Sequence, residues 1–183
     1  AYYARAAEAG LPEAQFALGQ KYLFGDGIEK DLERGLELIN ASADQTYGPA
    51  FCILGCLYVD GDDVEQNYQL GAKYHLLAAE LEHPIAHGFV GVHFVTGCGV
   101  PQDFELAAYW FAKGAKMGDA RAQNNLGYLY SEGKGITKSP AKSVYWYQKA
   151  ADQNDAVGQY NLGNVYERGL GVKASRARAL KWY

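Results

Sequence analysis

Two pairs of residues have types and spacing that chemistry could use. Cys52 and Cys56 stand four residues apart, as do His83 and His87, so each pair would share one helix face. Thiolates and imidazoles are good ligands for zinc and softer metals, and i, i+4 histidines occur in helical zinc motifs. A zinc-protease helix also needs a Glu after the first His, whereas Pro84 follows His83 and reads as the start of a helix. The histidines therefore read as packing or surface residues and the cysteines as buried thiols, with no metal and no cofactor assigned. With Cys98 the cysteines are three in number and irregularly spaced, which argues against a disulfide framework. The sequence holds no serine-nucleophile elbow, phosphate loop or dinucleotide fingerprint. G-x-G recurs, but after helical pattern rather than after a strand, so it is turn chemistry. No catalytic residue is assigned, and the chain reads as a non-enzyme.

The elements that carry these residues are set by a repeat. Leu18-Gly19, Leu54-Gly55, Val90-Gly91, Leu126-Gly127 and Leu162-Gly163 recur every 36 residues without insertion or deletion. Four residues after each anchor comes a ring: Tyr22, Tyr58, Phe94, Tyr130, Tyr166. Glycines follow at 25, 61, 97, 133 and 169, then Ile28, Val64, Val100, Ile136 and Val172. A second cluster holds Leu38, Tyr74, Trp110, Trp146 and Trp182, with Ala43, Ala79, Ala115 and Ala151 beyond it. Two amphipathic helices per unit fit these offsets, with the anchor and its ring on one face.

Punctuation agrees with that reading. Asp31, Asn67, Asp103, Ser139 and Ser175 share one offset and have N-cap chemistry for the second helix, while Pro12, Pro49 and Pro84 open first helices. The G-x-G-[IV] connector supplies residues able to take positive φ at a helix end; in the second unit Asp63 replaces the later Gly and is expected to adopt that conformation in its stead. The mid-helix Gly of each anchor costs about 0.5–1 kcal/mol against Ala, so it is expected to allow close approach of the partner helix with no side chain between. Small residues at Gly35, Gly71, Ala107, Ser143 and Ala179 suit the same approach.

Composition excludes several functions. Half the 183 residues are hydrophobic (49%), enough for a sizeable core, and the formal charge is −4. No run of five like charges occurs, so neither nucleic acid nor anionic lipid is an expected partner. Apolar runs such as residues 50–59 are too short to cross a bilayer. Cytoplasmic and exported placements remain equally compatible with the sequence.

The pattern A-x-x-x-L-G-x-x-[YF]-x-x-G-x-G-[IV], followed by A-x-x-[YW]-[YF] and A-A, resembles the SEL-one-like repeat (SLR), a relative of the tetratricopeptide repeat. Ala122, Leu126, Gly127, Tyr130, Gly133, Gly135, Ile136, Trp146, Tyr147, Ala150 and Ala151 carry it in the fourth copy. The third copy is looser, with Val90 and Phe94. The resemblance implies an all-α, right-handed superhelical solenoid of antiparallel helix pairs acting as an adaptor or scaffold that binds a partner protein or peptide. Some cysteine-rich relatives are linked to β-lactam hydrolysis, which makes an enzyme the alternative, although their paired cysteines are missing here. Self-association through the chain ends, with an exposed Trp182, is a further alternative.

One solenoid domain is expected over 1–183: the tail of a preceding repeat at 1–10, then units at about 12–47, 48–83, 84–119, 120–155 and an incomplete 156–183. The absence of polar capping helices reads as an excerpt from a longer array.

By analogy with tetratricopeptide stacks, the first helices line a concave face. The residues expected there include Phe16, Gln20, Phe24, Val92, Asn124, Tyr128, Glu132, Tyr160, Asn164 and Arg168. Its N-terminal half is mainly apolar and its C-terminal half offers amides, phenols and charge. Asn124 and Asn164, with Asn125 and Asn161 one position along, could donate to and accept from an extended peptide backbone. The competing reading makes the apolar half inter-helix packing and the asparagines solvated repeat positions.

Overall fold

The computed structural model describes residues 2–183. Eleven α-helices are present among them, and no strand. The molecule divides into two compact units, Ala1–His83 and Pro84–Tyr183. The first holds α1 (Tyr2–Glu8), α2 (Pro12–Phe24), α3 (Leu32–Ala43), α4 (Gly48–Asp60) and α5 (Tyr68–Glu80). The second holds α6 (Pro84–Thr96), α7 (Phe104–Lys116), α8 (Ala120–Glu132), α9 (Pro140–Ala151), α10 (Ala156–Arg168) and α11 (Arg176–Trp182). Helices pair as α2–α3, α4–α5, α6–α7, α8–α9 and α10–α11, and α8 also touches the first helices on either side, α6 and α10. The fold class is therefore an all-α array of helix-pair repeats, as the 36-residue period requires.

Each hairpin is fixed by the same local devices. Asp31, Asn67, Asp103, Ser139 and Ser175 all cap a second helix, their side chains accepting from backbone N–H groups in its first turn. Such a cap contributes about 1 kcal/mol. Each capping residue also donates its own N–H back to the carbonyl of the conserved-offset ring: Asp31 to Tyr22, Asn67 to Tyr58, Asp103 to Phe94, Ser139 to Tyr130 and Ser175 to Tyr166, at 2.8–3.0 Å. That bond closes the connector between the two helices of every pair.

One expectation about the connectors needs correction. Asp63 does not take positive φ; its carboxylate instead accepts from Lys30 Nζ at 2.6 Å, so the second connector is held by an ion pair where the others use a left-handed Gly. The second helices end on another left-handed position, at Gly10, Thr46, Glu82, Gly118 and Asn154, again 36 residues apart.

The mid-helix glycines do make room, but for a side chain. A Cβ on Gly127 would lie 2.8 Å from Tyr147 Cδ1, and one on Gly19 would lie 2.9 Å from Ile39 Cγ1. Gly55, Gly91 and Gly163 receive His75, Phe111 and Tyr183 in the same way. The helices interlock because a bulky residue of the second crosses the bare backbone of the first. In the first unit the core gathers Leu23, Ile39, Ala43, Ala50 and Leu54; in the second it gathers Ala107, Phe111, Ala122, Leu126 and Leu129.

Candidate functional site

The second unit carries a groove of about 360 Å³ between α8, α9 and α10. Tyr128, Ser131 and Glu132 come from the end of α8, Ser143 and Tyr147 from α9, and Asn161, Asn164, Val165 and Arg168 from α10. Lys138, Pro140 and Leu170 complete its rim. The helical repeat produces this convergence. Residues two, five and six after each anchor lie along one face of a first helix, and the small Ser143 on α9 leaves space beneath them.

The groove has a polar floor and a charged rim. Tyr147 is 5% exposed, and burial pushes its phenol up, partly offset by the hydroxyls of Ser131 and Ser143. Tyr128 is held by Lys134, whose Nζ donates to the phenol oxygen at 2.8 Å and lies over the ring at 5.2 Å from its centroid. The Ser131 hydroxyl donates to the carbonyl of Tyr128 at 2.9 Å. Glu132 and Arg168 are exposed at the rim with opposite charges. A ring, amides, hydroxyls and charges of both signs can grip a peptide backbone and its side chains together.

Of the expected concave-face residues, Tyr128, Glu132, Asn164 and Arg168 come together in this groove. Asn124 lies beneath it. It is 7% exposed, and its Oδ1 accepts from Asn161 Nδ2 at 2.8 Å, tying α8 to α10. Tyr160 is 60% exposed and stands 5.9 Å from the ring of Tyr183. In the first unit Gln20 and Phe24 line a shallower depression with Tyr3, Ala17, Lys21 and Asp26. Phe16 is part of the packing, edge-on to Tyr47 at 5.4 Å. Val92 packs against the Phe111 cluster.

Sequence reading missed one device. Gln153 Nε2 donates to Gln123 Oε1 at 2.8 Å, and Gln45 Nε2 donates to Gln15 Oε1 at 2.8 Å. The two pairs sit three repeat periods apart, and the recurrence of Gln at both offsets was the available signal.

The other chemical candidates are accounted for structurally. His87 is fully buried, its ring 5.7 Å from that of Trp110, while His93 donates from Nδ1 to the Cys98 carbonyl at 2.7 Å. Among the described residues no group of three or more His, Cys, Asp or Glu is arranged to hold a metal, and no helix is long and apolar enough to cross a membrane. Trp182 is half-buried against the cluster of Tyr147, Ala151, Leu162 and Val165, so it is not the exposed ring expected from the sequence.

Fold and groove define the class: a helical-hairpin repeat protein with a lateral recess. The Sel1 repeat matches residues 12–47, 52–83, 84–119, 120–155 and 156–183, and the chain belongs to that family. It superposes on a Sel1 repeat protein from Oxalobacter formigenes with a TM-score of 0.93 at 36% identity, over 99% of this chain and 74% of that one. A protective antigen of uropathogenic Escherichia coli strains, displaying an SLR fold, gives a TM-score of 0.92 at 34% identity over 100% of this chain. This chain spans only 39% of that antigen. An uncharacterized protein of Neisseria meningitidis serogroup B is 41% identical over 49 residues, 27% of this chain and 10% of the relative. Sel1 repeats generally serve as non-catalytic scaffolds that mediate protein–protein interactions.

Proposed function

We propose that this chain is an adaptor that holds an extended segment of a partner protein in the groove between α8, α9 and α10, on the concave face. The observation that carries the reading is the convergence of Tyr128, Glu132, Asn164 and Arg168 on one recess floored by Tyr147. Tyr and Arg are the side chains that most often dominate binding energy when they border a desolvated pocket. Asn164 supplies both a donor and an acceptor for a peptide unit. Asn124 and Asn161 support the recess by joining its walls.

The test is affinity capture from a lysate of the source organism with the wild-type chain and with a Tyr128→Ala, Asn164→Ala double variant, followed by calorimetry on the captured partner. The double variant should bind at least about tenfold more weakly, about 1.4 kcal/mol, with its melting temperature unchanged. Equal affinity of the two proteins for the same partner would remove this groove from the function.

A further inference from the structure

At one offset in every repeat the second helix sends a side chain across the bare Gly of the first. Ile39, Phe111, Tyr147 and Tyr183 do so, and in the second repeat the residue is His75. His75 is 1% exposed. An imidazole so deeply buried needs polar partners, and Nε2 of His75 is in hydrogen-bond contact with Sγ of Cys56 at 3.6 Å. Cys56 stands two residues after its anchor, an offset that carries Gln20, Val92, Tyr128 and Asn164 elsewhere. One helical turn earlier on the same face of α4 stands the buried thiol of Cys52. Cys56 itself is only partly buried.

An imidazole and a second thiol therefore flank one sulfur. The neighbouring Cys52 thiol, followed by the His75 imidazole, outweighs burial and the opposing carboxylate of Asp60, bringing the Cys56 thiol down to about 5. Cys52 moves the other way, raised by the neighbouring Cys56 and by burial.

We infer that Cys56, oriented by His75 and Cys52, is a site of reversible modification by low-molecular-weight disulfides. Its thiolate attacks one sulfur of the reagent, a new S–S bond forms to Cys56, and the reagent's own S–S bond breaks. The second half of the reagent leaves with the electron pair as a thiolate. The disulfide is the oxidant, so no further electron acceptor is required. The product stays a mixed disulfide. Cβ atoms at i and i+4 of a helix are about 5–6 Å apart, and a disulfide needs about 3.5–4.5 Å, so Cys52 cannot displace the adduct without deforming α4.

The experiment measures the rate of thiolate release from a chromogenic aromatic disulfide between about pH 4 and pH 9, the range from acids to ordinary thiols. The proteins compared are the wild type, Cys56→Ser, Cys98→Ser, His75→Phe and Cys52→Ala, each checked for folding by circular dichroism. The wild type and Cys98→Ser should show one fast thiol with a profile centred near 5, gaining one adduct mass on the peptide that contains Cys56. Cys56→Ser should lose that phase. His75→Phe and Cys52→Ala should each move the midpoint up. At about pH 5.5 they should react at least about tenfold more slowly, and at pH 8 at least as fast as the wild type, because a less acidic thiol gives a stronger nucleophile once ionised. If His75→Phe fails to fold, Cys52→Ala decides. The inference is overturned by a fast phase that survives Cys56→Ser, by unshifted profiles in the positioning variants, or by two thiolates released per chain without an adduct, the mark of an internal disulfide.

Discussion

The second and fourth repeats share a backbone plan and differ in chemistry. Asn67 and Ser139 cap their second helices alike, and both return a hydrogen bond to a tyrosine carbonyl, Tyr58 or Tyr130. Gly55 and Gly127 open the same gap, which His75 fills in one and Tyr147 in the other. Two residues past the anchor come Cys56 and Tyr128. The second repeat thus becomes a thiol–imidazole cluster and the fourth the floor and wall of a groove. Residues that hold the fold and residues free to acquire function alternate along the same helix faces, and only the former must repeat.

The comparison breaks most sharply where the gap-filling residue is itself the fold. Phe111 is 1% exposed and sits at the centre of the second unit's core. Phe111→Ala should cost about 3–5 kcal/mol in denaturant-induced unfolding, as for other large-to-small core changes. At the matching offset His75→Phe should stay within about 1.5 kcal/mol of the wild type, since it exchanges one ring for another of similar size. A loss there as large as that of Phe111→Ala would make the imidazole itself the element that holds the second hairpin.

A smaller effect, of opposite sign, is expected at the ends of the second helices. The left-handed position carries Gly at 10 and 118 and Asn at 154, but Thr at 46 with φ 59°. A β-branched residue is poorly suited to that conformation, whose cost for L-residues is about 1–2 kcal/mol. Thr46→Gly should therefore raise stability by about 1 kcal/mol, readable as a higher melting temperature. A decrease would mean that the Thr side chain contributes contacts worth more than the backbone strain.

These positions also mark what the sequence could disclose. The hairpins, their caps and their connectors were legible because each depends on residue types at fixed local offsets, such as Ser139 before Pro140. Thr46 concealed a left-handed site because its type points elsewhere, although Gly10, Gly118 and Asn154 lay in register. The anchor glycines announced a need for space without naming the occupant, which comes from the other helix twenty residues on. For the same reason Cys56 gave no sign of His75, 19 positions away. In the groove, Tyr128, Glu132, Asn164 and Arg168 followed from helical phase. Whether Asn124 faced a ligand or Asn161 depended on the distance between two repeats, which no local pattern encodes.

The smallest expected effect separates two caps of the second unit by charge. Asp155 and Asp119 both begin first helices, with side chains accepting from Gly158 N–H at 2.7 Å and Arg121 N–H at 3.0 Å. The second oxygen of Asp119 is buried against Gly88 with no hydrogen-bond partner. Burial raises the Asp119 carboxyl above its usual value, against the hydrogen bonds from the Arg121 and Ala122 N–H groups. A raised carboxyl binds its proton more tightly folded than unfolded, so ionisation costs stability above the folded value, and the cost disappears as pH falls below the unfolded value of about 3.9. Asn can keep the cap through its carbonyl oxygen while removing the charge. Asp119→Asn should accordingly melt higher than the wild type at neutral pH, and the two curves should converge as the pH drops below about 4. A variant less stable at neutral pH would show that the carboxylate's attraction to the α8 N-terminus and Arg121 exceeds the penalty of its burial, and Asp119 would then belong with Asp155 as an ordinary cap.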